Sequence, residues 1–217
     1  MNRLIIGLVG PISSGKGILG EYLRGHGFFY TSTSNRVREE AGRRKLPMIR
    51  KNLQNVGNDL RRSEGVAVLV ERSLPLIPDW STKIVIDGIR NPGEALFVKE
   101  KLGGIIIGVD APAELRLKWY LERAGKRGED EVSLEDFRRA NDRDLGFGEE
   151  AFGQQGKETF ALVDFVVNND GTDKMMKECG QILREKFGVD LESRNSGKEI
   201  WTIKGDGGEE GRMARGN

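Results

Sequence analysis

Apolar residues gather into five short runs, at positions 4–9, 28–31, 83–87, 104–110 and 164–168, each bounded by glycine, proline or polar residues. Runs this short, rich in Val, Ile and Leu, read as strands buried on both faces, the pattern of a parallel sheet. The stretches between them are amphipathic at helical spacing. Ile18, Leu19, Tyr22 and Leu23 share one face; Leu53, Val56, Gly57 and Leu60 share another; Met175, Cys179, Ile182 and Leu183 mark the last. Polar signals place the helix starts: Ser34 or Asn35 caps the segment ending near Ala41, Asn91 with Pro92 opens a helix after the third run, and Ser133 caps another. A further helix runs from Ala111-Pro112 to Arg123, and residues 48–77 read as helical with a break at Gly65. Strand and helix alternating in this way predict an α/β protein: a three-layer α/β/α domain around a mostly parallel, five-stranded, doubly wound sheet.

The junction of the first strand and first helix carries the strongest chemical signal. The strand stops at Gly10 and passes through Ser13, Ser14 and Gly15 to Lys16, Gly17 and Ile18, a G-x-x-x-x-G-K string in strand–loop–helix context. Glycines let successive N–H groups turn inward, and the helix N-terminus adds partial positive charge. Lys16 supplies a mobile full charge for a β- or γ-phosphate. The string resembles the phosphate loop of P-loop NTPases. Most such loops follow the Lys with Ser or Thr, whose hydroxyl contacts Mg²⁺; Gly17 and Ile18 offer none, so metal must be held through water and a carboxylate elsewhere. Asp87, closing the Lys83–Asp87 run, is that carboxylate.

Composition narrows the classes. The chain has 217 residues, enough for one domain with a buried core. Thirty-five basic residues against 34 acidic ones leave a net charge of +1, which argues against a nucleic-acid-coating surface. One Cys and one His exclude an internal disulfide and argue against a zinc site. No apolar run is long enough to span a bilayer, and a cytoplasmic protein is expected.

Three stretches resemble known P-loop kinases. S-T-S-N-R-V-R, residues 32–38, resembles the S-T-G-D-x-L-R of adenylate kinase, with Asn35 in place of its Asp; D-G-I-R, residues 87–90, resembles its D-G-F-P-R, one residue shorter. A-L-V-D-F-V-V-N-N-D-G-T, residues 161–172, resembles the closing A-D-x-V-I-x-N-x-G of dephospho-CoA kinase. The chain thus resembles the nucleoside-monophosphate-kinase group. The resemblance implies a kinase domain over 1–190, with acceptor-binding helices near 32–78 and a lid near 123–150, and a polar, Gly-rich tail from 191 to 217 that is expected to be mobile apart from a possible docking strand at 200–203.

It also implies roles. Gly10, Ser13, Ser14, Gly15, Lys16, Gly17 and Ile18 would bind ATP, with Asn169 and Gly171 passing the base; Asp87 would hold Mg²⁺; Arg38, Arg90 and Arg139 would bind the acceptor. Lys16, Asp87 and the lid arginines Arg123 and Arg127 would carry the transfer, since its transition state spreads negative charge over non-bridging oxygens. The acceptor is expected to be a nucleotide-like small molecule. No acid precedes Glu39 in the region after the second strand, which tilts the reading toward a (deoxy)nucleoside monophosphate. Transfer to a hydroxyl, as in dephospho-CoA kinase, an ATPase or sensor without an acceptor, and a nucleic-acid accessory protein using a basic lid remain the alternatives.

Overall fold

The computed structural model describes residues 3–127 and 133–191, with the backbone alone for 124–127. In chain order the elements are β1 (Leu4–Val9), α1 (Lys16–Gly25), β2 (Phe29–Ser32), α2 (Thr33–Arg43), α3 (Arg50–Glu64), α4 (Val68–Glu71), β3 (Lys83–Asp87), α5 (Pro92–Leu96), β4 (Ile105–Asp110), α6 (Ala113–Arg127), α7 (Leu134–Leu145), α8 (Gly156–Phe160), β5 (Phe165–Asn168) and α9 (Lys174–Phe187). The five strands form one sheet in the order β2-β3-β1-β4-β5, and every pairing is parallel.

This order fixes where a ligand can sit. The chain builds outward from β1 to β2 and β3 on one side, then crosses to β4 and β5 on the other. The reversal falls at β1, so the loops at its carboxyl end and at those of β3 and β4 diverge and leave a crevice. Register brings the ends of the strands level: Leu8 and Ser32 both pair with Asp87, Val9 with Gly108, and Asp110 with Asn168.

Alternation along the strands splits the core into two layers. Ile6 and Leu8 of β1 pack with Leu19 and Leu23 of α1 and with Cys179 and Leu183 of α9. Ile5 and Val9 face the other way, onto Ala95 and Val98. Gly7 belongs to this second face because a Cβ there would meet Ile89 Cδ1 at 2.5 Å. Two smaller clusters sit above the sheet ends. One joins α2, α3 and α4 through Val37, Val56, Leu60 and Leu69; the other joins Ile12 of the phosphate loop to Tyr120 of α6 and Phe137 of α7.

Local expectations needed three corrections. Helix α2 is capped by Ser32, whose Oγ accepts from the Ser34 N–H at 3.2 Å, rather than by Ser34 or Asn35. The strand end at Ser32 is fixed by pairing with Asp87, so the helix starts at once. Residues 66–77 hold only the single turn of α4 and a 3₁₀ turn at Leu74–Leu76, because Pro75 and Pro78 interrupt helical hydrogen bonding. Ile18 leaves the face of Leu19 and Leu23 and is 52% exposed. As expected, Asn91 and Glu94 form a capping box with Pro92 at the first helical position, and Ser133 caps α7. The tail beyond residue 191, with its 200–203 segment, lies outside the described residues.

Candidate active site

The phosphate loop follows from its glycines. At Gly10 a Cβ would lie 2.2 Å from the Val109 carbonyl, and at Gly15, where φ is 98°, it would lie 2.2 Å from Asn169 Nδ2. No side chain caps the N-terminus of α1, which begins at Lys16. Its first N–H groups therefore point into the loop, where the helix dipole favours an anion. Ser13 (φ 59°) and Ser14 carry buried hydroxyls with no hydrogen-bond partner. Uncapped amides, orphaned hydroxyls and a cradle that a single Cβ would fill together fit a polyphosphate.

Lys16 is buried, and its ammonium donates to the carbonyls of Gly10 at 2.6 Å and Pro11 at 2.9 Å. Burial first, and then the nearby Arg90, push its pKa down from 10.5 to about 7, with Asp87 opposing. Asp87 is buried at the end of β3. Its Oδ2 accepts from the Tyr30 hydroxyl at 2.8 Å, while Oδ1 is buried without a partner. A Cβ at Gly17 would come within 3.8 Å of Oδ2, so Asp87 faces the position after the lysine. Among the described residues no group of three or more His, Cys, Asp or Glu could hold a metal. A lone carboxylate beside a phosphate cradle suits Mg²⁺, which takes one or two protein ligands and completes its shell from phosphates and water. Burial and Asp87 both raise the Tyr30 pKa, so its hydroxyl stays protonated and a donor.

Beside the loop, helices α2 and α3 enclose an open cleft of about 430 Å³. Arg38, Arg50, Arg61 and Arg90 line it, with Gln54 and Gln154. Of the three acceptor candidates of the sequence, Arg38 and Arg90 meet here and Arg139 does not. Arg90 is ion-paired with the buried Asp144 of α7. Its pKa falls to about 10 through burial, then through Arg50. Arg61 makes a fully buried ion pair with Glu94, Nε to Oε1 at 2.8 Å. The other Glu94 oxygen accepts from the N–H groups of Arg90 and Asn91. Asn91 Nδ2 then donates to the carbonyls of Ala151 and Gly153, and Gln54 Nε2 donates to Gln154 Oε1 at 3.0 Å. The segment after α7 is thereby tied to both the D-G-I-R turn and helix α3.

A second cleft opens on the opposite side of α1, lined by Ile18, Trp119, Asn169, Gly171 and Met175. Ile18 and Gly171 thus reach one surface, although the Asn169 side chain does something else. Its Nδ2 donates to Ser14 O at 2.9 Å and its Oδ1 accepts from Gly171 N at 3.1 Å, bracketing the phosphate loop to the β5–α9 turn. Arg116, also on α6, donates to Ile12 O of the phosphate loop and to Asn141 of α7.

Of the lid arginines, Arg123 lies near enough to act electrostatically on both Lys16 and Arg90. Arg139 is exposed on α7, bonded to Asp136 and near Glu135, and lines neither cleft. The side chain of Arg127 lies outside the described residues, as does the segment 128–132. No helix among the described residues is long and apolar enough to cross a membrane.

Comparison with known proteins gives the same fold. Shikimate kinase from Acinetobacter baumannii, solved with shikimate, superposes with a TM-score of 0.54 at 15% identity, over 85% of this chain and 96% of that one. Shikimate kinase from Bacteroides thetaiotaomicron gives 0.51 at 15% identity, over 86% and 99%. The architecture is that of P-loop kinases. No protein-family model matches the chain. In sequence it is 33% identical over 171 residues to a UPF0200 protein of Hyperthermus butylicus, covering 78% of this chain and 87% of that protein. It is 32% identical over 185 residues to a UPF0200/UPF0201 protein of Archaeoglobus fulgidus, covering 82% of this chain but only 54% of that longer relative.

Proposed function

The chain belongs to the UPF0200 family, and we propose that it is an ATP-dependent kinase that transfers a phosphoryl group to a nucleotide-like acceptor, a (deoxy)nucleoside monophosphate giving the diphosphate. The observation that carries this reading is the position of Arg90. It lines the arginine-rich cleft and also lies close enough to Lys16 to depress its pKa, so it joins the phosphate loop to the acceptor side.

The roles follow from charge and reach. Lys16 and the amides at the start of α1 hold the donor's β- and γ-phosphates, and Lys16 can leave the Gly10 and Pro11 carbonyls to follow them. Asp87 Oδ1 holds the magnesium shell, directly or through water. Magnesium, when bound, neutralises charge on the donor phosphates. Arg38, Arg50 and Arg90 fix the acceptor's anionic end, from which an ionised oxygen attacks without needing a base. Arg123, with Arg116, supplies positive charge from the α6 side and helps exclude water. Ile18, Trp119 and the turn at Gly171 take the base of ATP. Helices α2 to α4 act as the acceptor-binding insertion, and the α6–α7 region acts as the lid.

The acceptor cleft contains no carboxylate in its lining, which supports an anionic acceptor. Asp144, buried beside Arg90, is the one observation that favours transfer to a hydroxyl, since it would be the base if Arg90 released it. A coupled assay for ADP with a panel of ribo- and deoxynucleoside monophosphates tests the proposal. Acceptor-dependent ADP formation is expected; ADP release indifferent to acceptor would make the protein an ATPase.

A further inference from the structure

Position 17 is the place where most phosphate loops put the hydroxyl that meets the metal, and here it is glycine. The structure fills that neighbourhood from another element. Tyr30 projects from β2, next to β3 in the sheet. Its ring lies over Gly20, where a Cβ would meet Tyr30 Cε2 at 2.3 Å. Gly17 and Gly20 are one turn apart on α1, and the absence of side chains at both opens the trough through which the tyrosine reaches the crevice. Its hydroxyl then donates to Asp87 Oδ2 at 2.8 Å. The other oxygen, Oδ1, is left buried and unpartnered.

We infer that Tyr30 is a positioning residue for the metal site, holding Asp87 by Oδ2 so that Oδ1 is the atom presented to magnesium, in a loop that lacks the metal-contacting hydroxyl after the lysine. This rests on the kinase reading and on Asp87 as the metal carboxylate. A carboxylate anchored at one oxygen keeps a single orientation. Without the tyrosine hydroxyl, Asp87 could rotate and satisfy Oδ1 at the expense of the metal. The arrangement also explains why glycine is tolerated after Lys16: position 17 faces Asp87 closely enough that a serine hydroxyl there would come within hydrogen-bonding reach of the same carboxylate.

The test is a binding measurement. Affinity for a fluorescent ADP analogue is measured with excess Mg²⁺ and again with EDTA, and the ratio is the metal-dependent gain. Tyr30→Phe should lower that ratio about tenfold, the scale seen when a group orienting a metal ligand is removed, while leaving the EDTA affinity and the melting temperature close to wild type. A merely structural tyrosine would instead weaken both affinities together, and that result, or an unchanged ratio in Tyr30→Phe, overturns the inference. If the wild-type chain binds no adenine nucleotide at all, the kinase reading falls and this inference with it. Metal-dependent binding in wild type that ignores Tyr30→Phe removes only the tyrosine's role.

Discussion

Raising pH through the neutral range should weaken nucleotide binding, because the Lys16 ammonium is only marginally protonated where it lies. Its pKa is about 7, depressed by burial and by Arg90. A triphosphate beside it supplies negative charge and returns the pKa toward the ordinary lysine range. Binding at about pH 8 must therefore recharge the amine: with a pKa near 7 roughly nine-tenths of the molecules are neutral beforehand, so uptake should approach about 0.9 proton per site. At about pH 6 the amine is already charged and the lysine contribution should fall to about 0.1 proton. Isothermal titration of ATP in buffers of different ionisation enthalpy reads the proton count directly. Lys16→Arg is the matched control, since its guanidinium stays charged throughout. Tight binding with no proton uptake in the alkaline experiment, or equal uptake by Lys16→Arg, would refute the reasoning.

Other perturbations separate the parts of the site. Arg61→Ala strands Glu94 as a buried charge and should cost about 3–5 kcal/mol of stability by denaturant unfolding. Asn169→Ala removes the bracket from Ser14 O to Gly171 N and should lower ATP affinity in titration calorimetry, with the monophosphate KM unmoved. Glu40 is held near a pKa of 2, below its ordinary 4.5, by hydrogen bonds from Arg43 and Arg44. The sign follows: its contribution to stability is complete above the unfolded value of 4.5 and is lost as pH falls toward 2. Glu40→Gln should therefore flatten the acid limb of melting temperature against pH. Asp144→Asn discriminates between the two acceptors. A monophosphate kinase should keep its kcat and bind acceptor more tightly once Arg90 is released, whereas a hydroxyl kinase should lose about 10²-fold or more in kcat.

Features encoded by short stretches of sequence were the ones the sequence made plain. Each strand is built on a short apolar run, and Gly10, Gly15 and Lys16 lie within one loop, so neither needed knowledge of the fold. Arg38 and Arg90 emerged because motif context singled them out. Arg50, Arg61 and Gln54 did not, since on a helix a buried arginine and a solvated one have the same local signature. Only the packing of α3 against Glu94 and Gln154 tells them apart. Arg116 and Trp119 were hidden similarly, because their significance depends on where α6 passes the phosphate loop. Tyr30 was hidden by register: nothing along the chain says that a residue of β2 will share a hydrogen bond with the last residue of β3. Asp144 could have been suspected only by asking what balances a buried Arg90.

Charge distribution gives the last step of the argument. The whole chain carries a net charge of +1, yet Arg90, Arg116 and Arg123 all act on Lys16, and Arg123 acts on Arg90 as well. Bringing like charges together in a desolvated place opposes folding, and the lowered pKa values of Lys16 and Arg90 are the direct expression of that opposition. The carboxylates nearby relieve it only in part: Glu94 is committed to Arg61 and backbone amides, Asp144 to Arg90, and Asp87 presents one oxygen with no cationic partner. A fold that needed only stability would replace such a cluster with apolar packing, which is often neutral or stabilising. What the cluster is suited to is a ligand bearing several negative charges, bound across both sides of Arg90, since only such a ligand neutralises the loop and the acceptor cleft together. That distribution is the electrostatic ground on which the proposed reading sets a phosphorylated acceptor ahead of a simple ATPase.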